Sequence, residues 1–337
     1  MFQPLEARTA NDLWKQAAEW FRQNGNAMKQ ASRNGPTLEV MNAALSLQQP
    51  RQRWIAARVP AMNPAFAIAE VVWIVLGRND SAMLNYFNRD LPQYAGEGEV
   101  YHGAYGHRIR SNFGVDQLER AYHALSAKPD SRQVVLQIWD SRIDLPAENG
   151  VEASKDVPCN VCSLLKVREG RLEWTQIMRS NDLFRGFPHN VIQFSSLQEV
   201  LAGWLNLEVG AYHHYSDSLH LYDRDGDVAS HFEDIDPPDN EDTLSLAKSQ
   251  SDNAFLMLGQ LCDLCADAGR SSDDVFDYVS SLQLPAGHAN LARVLAADAL
   301  RRRDSPDQAQ LIMQQCTNPC LSFMTQRWFS KPRAQRQ

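Results

Sequence analysis

Four short features in the middle of the chain carry groups that could work together chemically. Cys159 follows a proline in Asp156-Val-Pro-Cys159-Asn-Val-Cys162, and an arginine–serine pair stands in Met178-Arg179-Ser180-Asn-Asp182. Gly186-Phe-Pro-His-Asn190 reads as a turn that opens an apolar helix, and His220-Leu-Tyr222 supplies an imidazole and a phenol. A thiol attacks as its thiolate, which nearby cations favour. A guanidinium fork binds oxyanions such as phosphate through two parallel hydrogen bonds. A side-chain amide offers one donor and one acceptor to the edge of a base. Together these residues read as a nucleotide site built around a thiol nucleophile.

Other groups stand further upstream. Glu70 lies inside the apolar run Phe66 to Leu76. A carboxylate there is costly unless it is paired or employed, because burial disfavours its charged form. An ion pair with an arginine and a role in proton transfer are both open readings. Arg33-Asn-Gly-Pro marks a turn with an exposed arginine, either a loop charge or an anion-binding loop. Tyr101-His-Gly-Ala-Tyr105-Gly-His is rich in glycine and tyrosine and reads as a turn into a strand or short helix.

The elements that must hold these groups can be sketched from periodicity. Residues 10–31 read as an amphipathic helix broken near Gly25, with Leu13, Ala17 and Trp20 on one face. Residues 63–77 read as a buried helix carrying Glu70, and 115–127 as a further helix. Val134–Trp139 reads as a buried strand, and 141–157 as a polar loop. Val161–Lys166 and Leu172–Met178 alternate as strands about a Glu169-Gly170-Arg171 turn. If Cys159 and Cys162 share a strand, their side chains face opposite sides, which leaves Cys162 to the core. Asn190–Leu205 reads as a long apolar helix, and Glu208–His214 and Leu219–Leu221 as strand. Beyond Asp236-Pro-Pro-Asp239 the character changes: 241–266, 272–282 and 288–316 read as helices, and the tail KPRAQRQ as frayed.

Composition bounds the function. Apolar residues make up 44% and charged residues 22% of 337, the mix of a globular protein with a substantial core. A formal net charge of −8 argues against a nucleic-acid surface, which needs a basic face, but leaves room for a small anion held by a few arginines. No segment reads as a signal peptide or a membrane span, so a cytoplasmic protein is expected. The six cysteines include two Cys-x-x-Cys pairs, at 159/162 and 262/265. Their separation is far beyond the usual zinc-ribbon spacing, and the second pair falls in helix, so no metal is expected.

Taken in order, these motifs resemble the thymidylate synthase family over roughly residues 30–225. The resemblance rests on Pro158-Cys159, Arg179-Ser180-x-Asp182, Gly186-x-Pro188-x-Asn190 and His220-x-Tyr222. Upstream, Glu70-x-x-Trp73 with Gly77, Tyr105-Gly106 and Asp130-Ser131-Arg132 resemble further family segments. The resemblance implies an α/β fold, with a large twisted sheet flanked by helices and sheets packed back to back in a homodimer. It implies one-carbon transfer to C5 of a pyrimidine nucleotide, with 5,10-methylene-tetrahydrofolate as co-substrate. In that scheme Cys159 attacks C6, Glu70 relays a proton toward O4, and Tyr105 assists a water at C5. Arg33, Arg179 and Ser180 hold the phosphate, and Arg132 does so from the partner subunit. Asn190 reads the base, His220 and Tyr222 bind the sugar, and Asp182 and Gly186 face the folate. Asparagine suits uracil; the related cytidylate hydroxymethylases carry aspartate there.

Four departures from the family pattern stand out. Gln133 replaces a second arginine, Asn160 replaces a histidine after the cysteine, and Met178 replaces a glutamine. The family's apolar closing segment has no counterpart in a chain ending in helices and KPRAQRQ. Closure decides whether a hydride or water completes the reaction. The expected function is therefore methylation of dUMP first and hydroxymethylation of a pyrimidine nucleotide second. A third reading, of a different class, is a catalytically weak nucleotide-binding sensor or interaction module. The expected division is a catalytic domain over 1–237 and a helical region of open role over 238–337. No nucleic acid or membrane is expected as a partner.

Overall fold

The computed structural model describes residues 3–23, 27–225 and 232–330. The helix break expected at Gly25 and the tail from Lys331 lie outside the described residues.

Among the described residues, eight strands form one mixed sheet: β1 (Gln3–Ala7), β2 (Met28–Gln30), β3 (Thr37–Leu47), β4 (Val135–Gln137), β5 (Asn160–Arg168), β6 (Arg171–Met178), β7 (Asn181–Asp182) and β8 (Glu208–Tyr222). Their order is β1-β3-β8-β6-β5-β4, with β2 on β3 and β7 on β8. The 15-residue β8 is the spine; β3 runs antiparallel to it and β6 parallel. Strands β5 and β6 form the expected hairpin, and its turn places Glu169 at φ 51° and Gly170 at φ 74°. Positive φ at both central residues matches the right-handed strand twist. The expected α/β fold is thus observed.

The helices are α1 (Ala10–Arg22), α2 (Pro64–Val75), α3 (Ser81–Phe87), α4 (Leu91–Ala95), α5 (Tyr105–His107), α6 (Gln117–Ala127), α7 (Ser141–Asp144), α8 (Gly186–Trp204), α9 (Lys248–Ala266), α10 (Ser272–Ser281), α11 (Ala286–Arg302), α12 (Pro306–Gln314) and α13 (Pro319–Ser330). Layering follows from apolar content. Helix α8 packs on β6 and β8 and, on its other side, on α2. Helix α2 then meets α9, α11 and α13. Every residue of α2 except Glu70 is buried. Each large apolar side chain so placed stabilises by roughly 1.5–3 kcal/mol. Asn63 starts α2 by accepting the Ala65 and Phe66 N–H groups at 3.0 and 3.2 Å, worth about 1 kcal/mol. Gly106 lets α5 lie on this helix: a Cβ there would sit 2.4 Å from the Ile74 carbonyl oxygen.

One hydrophobic core runs through the sheet, α2, α8 and the helices after residue 248. A buried ion pair fastens the two parts. Glu199 of α8 binds Arg53 and also accepts the Leu244 N–H at 3.1 Å and the Thr243 hydroxyl at 3.0 Å. The carboxylate therefore ties α8 to the segment that leads into α9.

Several local expectations change. Residues 28–30 form strand rather than helix, because Met28–Gln30 pairs with Thr37–Glu39. In α1 the inner face is completed by Trp14 and Phe21, with Trp20 half-buried. The β4 strand lies at the sheet edge, with Val135 exposed rather than buried. The loop after Trp139 contains α7. Residues 241–247 form no regular element, so α9 starts only at Lys248. The run 288–316 divides into α11 and α12 at Arg303–Ser305, where Asp304 takes φ 57°.

Candidate active site

A cavity of about 960 Å³ opens between the ends of β5, β6 and β8, the start of α8 and the middle of α2. It is lined by Cys159, Glu70, Tyr105, Arg33, Arg179, Ser180, Asn190, His220, Tyr222, Asp182 and Gly186. Sequence reasoning placed all of these in one site. Arg132 lies elsewhere, exposed on the loop before β4, and Cys162 also lies outside the cavity.

Cys159 sits just before β5, where its carbonyl accepts the Arg179 N–H at 3.0 Å. Arg179 is bound to the same loop through its side chain, donating to the Pro158 and Val157 carbonyls at 2.9 and 3.1 Å. Its guanidinium lies 5.2 Å from the centre of the Trp139 ring. One side chain thus fixes the Cys159 loop and brings a cation to it. Burial pushes the Cys159 thiol up, Arg179 and Arg33 pull it down, and the Asp156 and Asp182 charges push it up again. Burial is the largest of these influences, so the thiol rests protonated. Asp156 is itself held high, at about 6, chiefly by burial, although it accepts the Gly103 N–H at 2.7 Å. Arg33 reaches the Cys159 side of the cavity on the 32–35 turn. There it pairs with Glu152 at 2.6 Å and donates to the Lys155 carbonyl at 3.1 Å.

Asn190 belongs to a buried chain of amides whose direction is set at one end. The Trp174 indole N–H can only donate, so Gln176 Oε1 must accept it, at 3.1 Å. Gln176 Nε2 then donates to Asn160 Oδ1 at 2.8 Å, and Asn160 Nδ2 to Asn190 Oδ1 at 3.3 Å. Asn190 Nδ2 donates to Asn181 Oδ1 at 3.2 Å, and Asn181 Nδ2 meets His214 Nε2 at 2.8 Å. Burial lowers the His214 pKa to about 3, so the ring is neutral and accepts through Nε2. Each amide is therefore held one way round, and Asn190 faces the cavity with a fixed donor and a fixed acceptor. Asn160, in the place of the family's histidine, is a link in this chain. Gly186 gives it room: a Cβ there would lie 3.1 Å from Asn181 Oδ1, a tight contact.

His220 stands on β8 between Glu39 of β3 and Asp182 of β7. Burial lowers its pKa, against the pull of Asp182 and Glu39. The Tyr222 ring lies 5.4 Å away at right angles. Tyr105 lies under α8, 5.9 Å from the Phe194 ring, and burial raises its phenol pKa.

Sequence reasoning left several site residues out. His189 of α8 holds Glu70, with Nδ1 2.6 Å from Oε2. This answers how the carboxylate on an apolar helix is partnered: by an imidazole, not by an arginine. His189 was visible in the Gly-x-Pro-x-Asn segment, but only the fold brings it to α2. The outer wall includes Trp73, Tyr94, Arg302 and Trp328, the last two from α11 and α13. No motif marked those helices as part of the site. Among the described residues, no group of three or more His, Cys, Asp or Glu is placed to hold a metal ion, and no helix is long and apolar enough to cross a membrane.

The chain is similar to proteins of two named activities. The deoxyuridylate hydroxymethyltransferase of Bacillus phage SP01 is 35% identical over 195 residues, 55% of this chain and 50% of that protein. The deoxyuridylate hydroxymethyltransferase of Pseudomonas phage M6 is 34% identical over 199 residues, 58% of this chain and 55% of that one. The thymidylate synthase of Bacillus licheniformis is 29% identical over 193 residues, 53% of this chain and 67% of that one. The chain thus spans about half the length of the two phage proteins. The family model described as thymidylate synthase matches residues 15–257, a stretch that includes Arg33, Glu70, Tyr105, Cys159, Arg179 and Asn190, and by that match the chain belongs to the thymidylate synthase family.

Proposed function

We propose that this protein transfers a one-carbon unit to C5 of dUMP through a covalent bond between Cys159 and C6, and that water completes the reaction to give the 5-hydroxymethyl nucleotide. The observation that carries the one-carbon transfer is one cavity holding a thiol with two arginines beside it, a directed amide, and a carboxylate with a phenol; the likeness to the two phage deoxyuridylate hydroxymethyltransferases favours water as the last step. A binding module would need the arginines and Asn190 but has no use for the thiol.

The roles follow from the geometry. The Cys159 thiolate, a minority form favoured by Arg179 and Arg33, adds to C6 and sends electrons to O4. Arg33, Arg179 and Ser180 hold the phosphate, for which Arg33 exchanges its partner Glu152. Arg132, exposed and outside the cavity, reaches a neighbouring subunit's phosphate in a homodimer. Asn190 donates to O4 and accepts from N3–H, a pattern cytosine mismatches at both positions. His220 and Tyr222 hold the sugar. Glu70 relays a proton toward O4, and Tyr105 assists removal of the C5 proton.

Methylene-tetrahydrofolate supplies the one-carbon unit when bound. The residues present fit it. The same cavity is also lined by Trp73, Tyr94 and Trp328, flat rings suited to a pterin, and by the Asp182 carboxylate. Asp182 Oδ1 is fixed by the Phe184 and Arg185 N–H groups at 2.7 and 3.0 Å.

Methylation to dTMP is the second reading, favoured by the likeness to the Bacillus licheniformis enzyme. Incubation with dUMP, UMP, dCMP or CMP and methylene-tetrahydrofolate, followed by mass analysis, separates the two. A hydroxymethyl product from dUMP supports the first reading and a methyl product the second. No product from any of the four, with nucleotide binding unchanged in Cys159→Ser, would sink both. The segments 1–237 and 238–337 are read as catalytic domain and helical region, the latter lending its outer wall to the cavity.

A further inference from the structure

We propose that His189 is the general base that activates the water completing the reaction, with Glu70 as the group that orients it. This rests on the C5 one-carbon-transfer reading above and assigns its last step. Among the described residues, His189 and His220 are the imidazoles that line the cavity. His220 lies on β8 beside Glu39 and Asp182, at the sugar end. His189 adjoins Asn190, the residue that reads the base, and its ring packs 5.0 Å from Phe66 of α2. Its Nδ1 lies 2.6 Å from Glu70 Oε2. Both side chains are largely but not wholly enclosed, at 21% and 15% exposure, so water reaches them. With Nδ1–H donating to Glu70 Oε2, Nε2 is the nitrogen left to accept a proton, and it has no partner among the described residues. This carboxylate–imidazole arrangement holds one tautomer and steadies the imidazolium that forms. Asn160, at the position where the family pattern has a histidine, carries no basic nitrogen and is committed to the amide chain.

The step balances without a redox partner. After one-carbon transfer the base carries an exocyclic methylene on C5 and the Cys159 sulfur on C6. The water oxygen bonds to the methylene carbon while one water proton passes to His189 Nε2. The methylene π electrons shift onto C5 and O4 as an enolate. The enolate collapses, C5=C6 re-forms, and the C6–S bond breaks to release the thiolate. The proton on His189 then leaves to solvent or to the thiolate. Water is consumed, and nothing is oxidised or reduced.

The test compares His189→Phe, which keeps ring packing against Phe66 but has no basic nitrogen, with the unaltered protein. Two quantities are measured: tritium release from [5-³H]dUMP without folate, and hydroxymethyl product with methylene-tetrahydrofolate. Product per tritium released should fall about 10²-fold, the usual worth of a general base, as the adduct builds up or methyl product replaces hydroxymethyl. His189→Gln, which can still donate to Glu70 but accepts no proton, should show the same loss. An unchanged ratio in either variant overturns the proposal, as does an equal fall in both quantities. A methyl product alone from the unaltered protein also overturns it while leaving one-carbon transfer standing. No tritium release from the unaltered protein would instead refute the nucleotide-site reading itself.

Discussion

The two sides of the cavity are built differently. The side proposed for the nucleotide is a set of polar groups locked by other polar groups. Arg179 is held on two carbonyls, Asn190 in an amide chain anchored at Trp174, and His220 between two acidic residues. These groups sit on strand ends and the first turn of α8. The outer side is a wall of large side chains from α4, α11 and α13, held by helix packing and a few long side chains. A group that must read one base edge or aim one thiol needs fixed direction, which buried hydrogen bonds supply. A wall that encloses a large flat ligand needs shape, which many different sequences can supply.

The largest effect should come from the nucleophile. Cys159→Ser removes the thiolate while leaving the arginines and Asn190 in place. Tritium release and product should fall by at least about 10⁴-fold, and dUMP affinity should change little, since covalent attack and binding are separable contributions. Equilibrium dialysis beside the exchange assay checks both. A variant with appreciable exchange would move the nucleophile away from Cys159.

Glu199→Ala attacks the joint between the two sides. It leaves Arg53, 3% exposed, without its carboxylate and frees the Leu244 N–H. Breaking a buried ion pair on one side costs about 3–5 kcal/mol. Urea unfolding should show that loss in one transition, because a single core spans both parts. Two separated transitions would mean that the helices after residue 248 fold as an independent unit.

Asp156→Asn should stabilise the protein and sharpen the thiol. The folded pKa of Asp156, about 6, lies above its ordinary 3.8, so folding favours the protonated form. Its contribution is full below pH 3.8 and is lost as pH rises through 6. Above that the buried charge is a penalty of about 1–3 kcal/mol. Asparagine stays neutral and can still accept the Gly103 N–H. The variant should therefore gain stability at pH 7.5 and none at pH 4. It should also lower the Cys159 pKa, because the Asp156 charge pushes that thiol up. Iodoacetamide labelling rates against pH check the second point; a thiol pKa unmoved or raised would contradict it.

The difference between the sides also explains what the sequence disclosed. Cys159, Arg179, Asp182, Gly186 and Asn190 fall within 32 positions, and chemistry restricts each to few residue types. Motif and function are therefore legible together. The β5–β6 hairpin and α2 were legible because period and turn chemistry agree there. Strands β1 and β3 were not: β3 carries Glu39, Asn42 and Ser46 among its apolar residues, which blurs its alternation. The orientation of Asn190 depends on Trp174 and Gln176, which look like ordinary strand residues until β5 and β6 are paired. The Glu70–His189 contact joins positions 119 apart and has no local signal. Trp328 and Arg302 lie in helices whose apolar spacing reads only as core.

The smallest change probes the outer wall alone. Trp328 donates its indole N–H to Asp298 Oδ1 at 3.0 Å, and Asp298 Oδ2 accepts from Arg302 Nε at 2.6 Å. Arg302 also donates to the Phe87 carbonyl at 2.9 Å. Together they set the position of the wall that α11 and α13 present to the cavity. Trp328→Phe keeps an aromatic face but deletes one hydrogen bond, worth about 0.5–1.5 kcal/mol. The wall should loosen with the core intact, so the KM for methylene-tetrahydrofolate should rise about three- to tenfold. Folate-independent tritium release should stay unchanged, because Trp174, Gln176, Asn160 and Arg179 take their hydrogen-bond partners from β5, β6, α8 and the loop before β5. Parallel loss in both assays would mean that the wall and the nucleotide groups are mechanically one structure. Loss in the folate-dependent assay alone would show that this family member rebuilt half of its site from helices while keeping the other half on the sheet.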